Sequence, residues 1–174
     1  MTNKRGLMLC VAVLCGLAFL PTAGHAQKLA TGVKLPDAVR KTFEANFPKG
    51  EIEKVDAEVE GGVTVYDIEF KDGNTSKETD ITADGTMLEF TVVITANDIP
   101  EAALKPIREA ATGATMKRVE RIEISYETKD GKTIKLPKTV THYAAELKKG
   151  KQEAEIVVDT AGKVIEPAVW SGDK

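Results

Sequence analysis

The feature that most limits how this chain can fold is an order of patterns that occurs twice. "LPDAVRKTFEANFPKGEIEKV" begins at Leu35, and "IPEAALKPIREAATGATMKRV" begins at Ile99, 64 residues later. Pro36 matches Pro100, Ala38 matches Ala102 and Val55 matches Val119. Further on, "VYDIEF" (65–70) matches "HYAAEL" (142–147), and "TADGTMLE" (82–89) matches "DTAGKVIE" (159–166), now at an offset of 77. The second copy therefore carries about 13 more residues, which fall around "SYETKDGKTIKLPKTV" (125–140). A fixed-offset repeat means that one supersecondary unit is built twice.

Each copy opens with a helical stripe. Leu35, Val39, Phe43 and Phe47 recur every four residues, as do Ile99, Ala103, Ile107 and Ala111, so each set lies on one helix face. Pro36 suits a helix start and Pro48 a helix stop. Asp98, three residues before Glu101, is placed as a capping box for the second helix. Pro106 lies inside that helix and predicts a bend or a late start.

After each helix the apolar period drops to two. "VTVYDIEF" sets Tyr66, Ile68 and Phe70 on one face, and "IEKVDAEVE" alternates with a slip that predicts a bulge near Lys54. Turn pairs follow at Gly61-Gly62, Asp72-Gly73, Asp84-Gly85, Asp130-Gly131, Lys149-Gly150 and Ala161-Gly162. The expected fold class is α+β: a tandem repeat of an amphipathic helix packed on a four-stranded antiparallel sheet. Each unit has only about 65 residues and a thin core, so the two are expected to pack together, their sheets forming one longer curved surface. The expected segments are 1–26 signal peptide, 27–34 linker, 35–96 first repeat, 97–168 second repeat with an inserted hairpin, and 169–174 tail.

The signal-peptide reading rests on Lys4 and Arg5, the apolar run Gly6 to Leu20, and the small residues Gly24 and Ala26. Cleavage after Ala26 leaves 148 of the 174 residues, with no cysteine. Export without disulfides requires a buried core to hold the fold. Loss of two basic residues moves the net charge from −3 to −5. That excess of acid argues against a nucleic-acid surface. No second apolar run is long enough to span a bilayer. The expected location is the periplasm or the extracellular medium.

Candidate chemistry is sparse. "DITADGTMLEF" (80–90) offers Asp80, Asp84 and Gly85 at EF-hand positions 1, 5 and 6, but position 12 is Thr91, where a glutamate is needed. In the second copy Val157 and Ala161 take positions 1 and 5. What both copies keep is a glycine turn, so the stretch reads as a hairpin and not as a metal loop. His142 is the one histidine of the mature chain and has no evident catalytic partner. No cysteine nucleophile, serine elbow, zinc spacing or phosphate-cradling loop is present in the mature chain. No catalytic residue, metal ligand or cofactor is expected, although plentiful acids leave a carboxylate-based hydrolase as a third reading.

"LPDAVRKTFEANFPKGEIEKV", "VYDIEF" and "ITADGTMLE" together resemble the PepSY-like domains of exported bacterial proteins. The resemblance is carried by Leu35-Pro36, Phe47-Pro48, Tyr66 and Asp84-Gly85 in that order. It covers about 35–94 well and 99–168 more loosely, since the second copy keeps Ile99-Pro100, His142-Tyr143 and Ala161-Gly162 but lacks Phe-Pro. Tandem domains of this type also resemble the β-lactamase inhibitory protein fold. The resemblance implies a non-enzymatic, extracytoplasmic protein-binding module, including inhibition of a protease or other hydrolase by surface occlusion. The alternative is a small-ligand or ion sensor of the cell envelope. The expected partner-binding residues are Tyr126, Asp130 and Lys132 in the inserted hairpin, Asp72 and Asn74 in the first copy, and Trp170, on the ground that loops on a rigid scaffold carry binding.

Overall fold

The computed structural model describes residues 34–171; the expected signal peptide, most of the linker and residues 172–174 lie outside them. The elements run α1 (Asp37–Asn46), β1 (Gly50–Glu60), β2 (Val63–Asp72), β3 (Thr75–Thr82), β4 (Met87–Val93), a short 3-10 turn (Ala96–Asp98), α2 (Glu101–Ala110), β5 (Thr115–Lys129), β6 (Lys132–Lys149), β7 (Gln152–Asp159) and β8 (Val164–Glu166). The eight strands form one antiparallel sheet in the order β1 to β8.

This corrects the expected fold class. The chain does not form a tandem of helices each on its own four-stranded sheet. It is mostly one eight-stranded antiparallel sheet, with two helices of only ten residues each. The joining step is the β4–β5 ladder, from Glu89 opposite Ile124 to Val93 opposite Glu120. Two separate four-stranded sheets would each leave a row of unpaired backbone groups at that edge, and pairing them satisfies both.

The register carries one side-chain parity across the whole sheet, so both helices lie on the same face. Val39 and Phe43 of α1 pack on Ile68, Phe70 and Ile81 of the sheet, with Phe47 and Phe90 against them. The rings interlock: Phe43 meets Phe70 edge-on at 4.9 Å, and Phe47 stacks on Phe90 at 5.4 Å. Around α2 the core is mainly aliphatic, with Leu104, Ile107, Leu147, Ile156 and Val158 beside Tyr143. Each fully buried side chain of this size stabilises by about 1.5–3 kcal/mol.

Local details follow from the sequence. The register shifts between Ile52 and Lys54, as the slipped alternation predicts. Asp98 does not cap α2; its carboxylate accepts from the Thr95 N–H (2.9 Å) and hydroxyl (2.7 Å) and closes the 3-10 turn instead. Pro106 lies inside α2, which begins at Glu101 with no late start.

The extra residues of the second half lengthen β5 and β6 into an arm. Ile124 faces Val140, but Tyr126 faces Lys135, so residues 136–139 bulge out of β6. A bulge of this kind redirects a strand pair. Here the tip reaches the first hairpin, where the Gly131 N–H donates to the Gly61 carbonyl (2.6 Å). Leu136, inside the bulge, packs on Ile122, Ile124, Ala144 and Val157, on the face away from the helices.

Candidate functional site

The face opposite the helices holds the chemistry. Alternation in β1 and β2 sends Val55, Ala57, Tyr66, Ile68 and Phe70 toward α1, and so sends Lys54, Asp56, Glu58, Glu60, Asp67 and Glu69 the other way. The register adds Glu78 and Asp80 from β3 and Glu89 from β4. It continues through Glu120, Glu146 and Glu155. Eight carboxylates therefore come from the first four strands alone, on a face that the arm partly closes.

Two cations serve this face at its flanks. Lys54 Nζ lies 2.8 Å from Asp56 and 2.6 Å from Glu69. Burial would lower its pKa, but these two bonds outweigh that and raise it. Arg118 lies 2.6 Å from Glu120 and 4.0 Å from Glu78. Between them stand Asp67 and Asp80, directly opposite each other on β2 and β3, with Glu78 two residues before Asp80 on the same side. A carboxylate oxygen from each of Asp67, Glu78 and Asp80 lies within 4.8 Å of the others. Asp80 is 7% exposed, and its Oδ1 and that of Asp67 are buried without a hydrogen-bond partner.

Burial and mutual repulsion disfavour charge throughout this cluster. Burial, then Glu89 and Asp67, hold Asp80 well above the usual carboxylate range. Burial, Asp67 and Glu120 push Glu78 up to about 9 against the pull of Arg118. Burial pushes Asp67 up to about 6, with Lys54 opposing. Glu89 rises to about 8 by burial beside Glu60, and Glu60 to about 8 by burial beside Glu58. Such a cluster holds protons or a cation. His142 is buried on the same face, opposite Ile122 and Asp159, and burial lowers its pKa.

The residues expected from sequence lie in three separate places. Asp130 and Lys132 are exposed at the arm tip, and Tyr126 is half-buried below them with Lys135 Nζ 5.9 Å from its ring centroid. Asp72 and Asn74 sit at the β2–β3 turn, at the opposite end of the strands, where Lys77 holds Asp72 at 2.6 Å. Trp170 packs against the core under α2. Sequence reading passed over Asp67 and Glu78 entirely, because their meeting depends on strand register. The one local signal was the Glu78-x-Asp80 spacing, which puts two acids on one strand face.

In "DITADGTMLEF" the four chemistry-bearing residues separate. Asp84 accepts from the Thr82 hydroxyl (2.5 Å) and the Thr86 N–H (3.0 Å), which lower its pKa and fix the turn. Gly85, at φ +90, lies against α1, where the Thr42 hydroxyl donates to its carbonyl (2.7 Å). Asp80 and Glu89 instead enter the acidic face.

A family profile described as "Putative beta-lactamase-inhibitor-like, PepSY-like" matches residues 22–89 and, overlapping them, 64–136, which is more than half of the chain. No curated protein matches in sequence. Three solved structures share the fold. One is a BLIP-like protein from Bacteroides fragilis: 18% identity, 82% of this chain and 92% of that one, TM-score 0.54. Another is a DUF2874 family protein from Bacteroides uniformis: 14% identity, 78% and 88% covered, TM-score 0.56. The third is described as one of the "putative periplasmic proteins" from Bacteroides eggerthii: 13% identity, 77% and 88% covered, TM-score 0.58. At these identities the likeness is one of fold. Among the described residues no helix is long and apolar enough to cross a membrane.

Proposed function

Because the chain belongs to the PepSY-like family, we propose that it is an extracytoplasmic, non-catalytic module that binds a protein partner and acts by occlusion. The β5–β6 arm carries this reading. It runs past the bulge at 136–139 to an exposed tip, and a backbone hydrogen bond to Gly61 braces that tip against the first hairpin. A braced loop loses little freedom on binding, which favours affinity. Tyr126 supplies a half-buried aromatic anchor, and Asp130, Lys132 and the exposed Ile134 supply the rim. The periplasmic description of the Bacteroides eggerthii structure and the BLIP-like description of the Bacteroides fragilis one support an envelope role and a binding role. Asp72, Asn74 and Trp170 lie away from the arm and are assigned to the scaffold.

The test immobilises the protein, passes an envelope fraction over it, and titrates the activity of any retained hydrolase. A stoichiometric loss of that activity is expected. The double substitution Tyr126→Ala, Lys132→Glu should weaken retention at least tenfold with the melting curve kept. Point changes are the right probes, since Leu136 packs on the sheet and a deletion of the arm would uncover it. A hydrolase held equally well by the double variant overturns the arm assignment, and recovery of no protein partner overturns the function.

A further inference from the structure

The face that the arm partly closes has a use apart from the arm tip. We propose that Asp67, Glu78 and Asp80 form a calcium-class cation site on the helix-free face of the sheet. The first observation is size. Calcium holds oxygen ligands at about 2.3–2.6 Å, so oxygens around one ion stand no more than about 5 Å apart. The three carboxylates each offer an oxygen within 4.8 Å of the other two. The second is Asp80 itself. Its side chain is more than nine-tenths buried, its Oδ1 has no hydrogen-bond partner, and it is turned into this triad.

A buried carboxylate without a counter-charge is costly, and proteins pair it or give it a metal. No ion pair to Asp80 occurs among the described residues; Lys54 is engaged by Asp56 and Glu69, and Arg118 by Glu120. Asp67 Oδ1 is likewise buried without a partner. Glu78 keeps about a quarter of its side chain exposed (26%), which leaves an approach from solvent. All three ligands are hard oxygens, with no nitrogen or sulfur donor, which suits calcium and disfavours zinc or copper. The ligands come from two neighbouring strands, so the site does not use an EF-hand loop. It is also independent of partner binding at the arm.

At the matching positions of the second half, 77 residues on, stand Ala144, Glu155 and Val157. Ala144 and Val157 are again opposite each other on neighbouring strands, and both are buried among Ile122 and Ile124. The triad is therefore special to the first half, and Glu155 is its natural control.

The experiment melts the chelator-treated protein at pH 7.5 with added calcium chloride, and follows calcium binding by titration calorimetry. Three carboxylates predict a dissociation constant of about 0.1–1 mM, one ion per chain, and a Tm rise of about 5 °C near saturation. Asp80→Asn should abolish both the heat and the Tm rise. Glu78→Gln, at a part-exposed position that spares folding, should weaken binding about tenfold. Glu155→Gln should leave both signals unchanged. No calcium heat and no Tm rise in the native protein overturns the site, as does an undiminished response in Asp80→Asn or Glu78→Gln. An equal response to magnesium overturns the assignment to a calcium-sized ion.

Discussion

The two halves of the sheet share an order of elements and differ in what they do with the face away from the helices. In the first half that face carries Asp67, Glu78 and Asp80; in the second the matching positions are Ala144, Glu155 and Val157. The first half leaves buried acids under strain there, and the second buries an apolar patch that holds Leu136 at the root of the arm. The helix faces differ too. α1 covers a cluster rich in phenylalanine and α2 a mainly aliphatic one. One backbone plan thus supports an acidic patch in one half and an apolar patch in the other, and residue identity at matching positions separates them.

The strongest challenge to this contrast is to place an acid where the second half is apolar. Val157 is fully buried. Val157→Asp should cost about 4–5 kcal/mol or prevent folding, because the residues across from it are Ala144 and Glu166, neither of them a counter-charge. A loss under about 1 kcal/mol in urea unfolding would show that the second half tolerates acids as the first does.

The two cores come next. Phe70 and Leu147 occupy matching positions, each 1% exposed. Phe70→Ala should cost about 3–5 kcal/mol and Leu147→Ala about 2–4 kcal/mol. Equal losses would mean that the ring contacts around Phe70 add nothing beyond burial.

The turn glycines give a smaller and more local test. Pro106 stands 64 residues after Thr42, so the second helix lacks the hydroxyl that grips its turn in the first. It also lacks an N–H for the Ala102 carbonyl. Gly162 closes on that carbonyl: a Cβ there would lie 2.1 Å from the Ala102 oxygen, against 3.0 Å between Gly85 and the Ala38 oxygen. Both glycines have positive φ, +86 and +90. Gly162→Ala should cost about 3 kcal/mol and Gly85→Ala about 1–2 kcal/mol. Reversal of that order in denaturant titrations would refute the closer docking of the second turn.

The smallest effect is in pH. Burial first, then Glu120, Glu166 and Glu146, push Glu155 up to about 8 from 4.5. The folded state keeps a proton that the unfolded chain has released. Stability tied to Glu155 is therefore fully present below about pH 4.5 and is lost as pH rises through about 8. Glu155→Gln should flatten that decline and raise stability at pH 9 by on the order of 1 kcal/mol, the group being part-exposed. Unfolding curves at pH 5 and pH 9 check it; an unchanged slope means Glu155 does not carry the dependence.

Much of the local plan was legible in the residues. The stripe through Val39 and Phe43, the bulge near Lys54, the turn at Asp84-Gly85 and the lengthened second hairpin all follow from periodicity and turn chemistry, which act over a few neighbours. Asp98 was misjudged because two closures competed for one carboxylate, and the Thr95 turn took it. The expected division into two helix-on-four-strand units failed for a different reason. Edge pairing between β4 and β5 depends on backbone groups that every residue has, so no side-chain pattern announces it. "DITADGTMLEF" shows the same division within eleven residues: Asp84 and Gly85 make the turn that spacing predicts, while Asp80 acts with Asp67.

By itself, the sequence determined the helix stripes, the strand alternation, the turns and the acidity of one strand face, because each rests on contacts close along the chain. Only the tertiary structure decided that all eight strands make one sheet, that the arm tip returns to Gly61, and that Asp67, Glu78 and Asp80 converge. Those outcomes depend on register between strands, and a shift of one residue would have turned the acids to the helices and the rings to solvent.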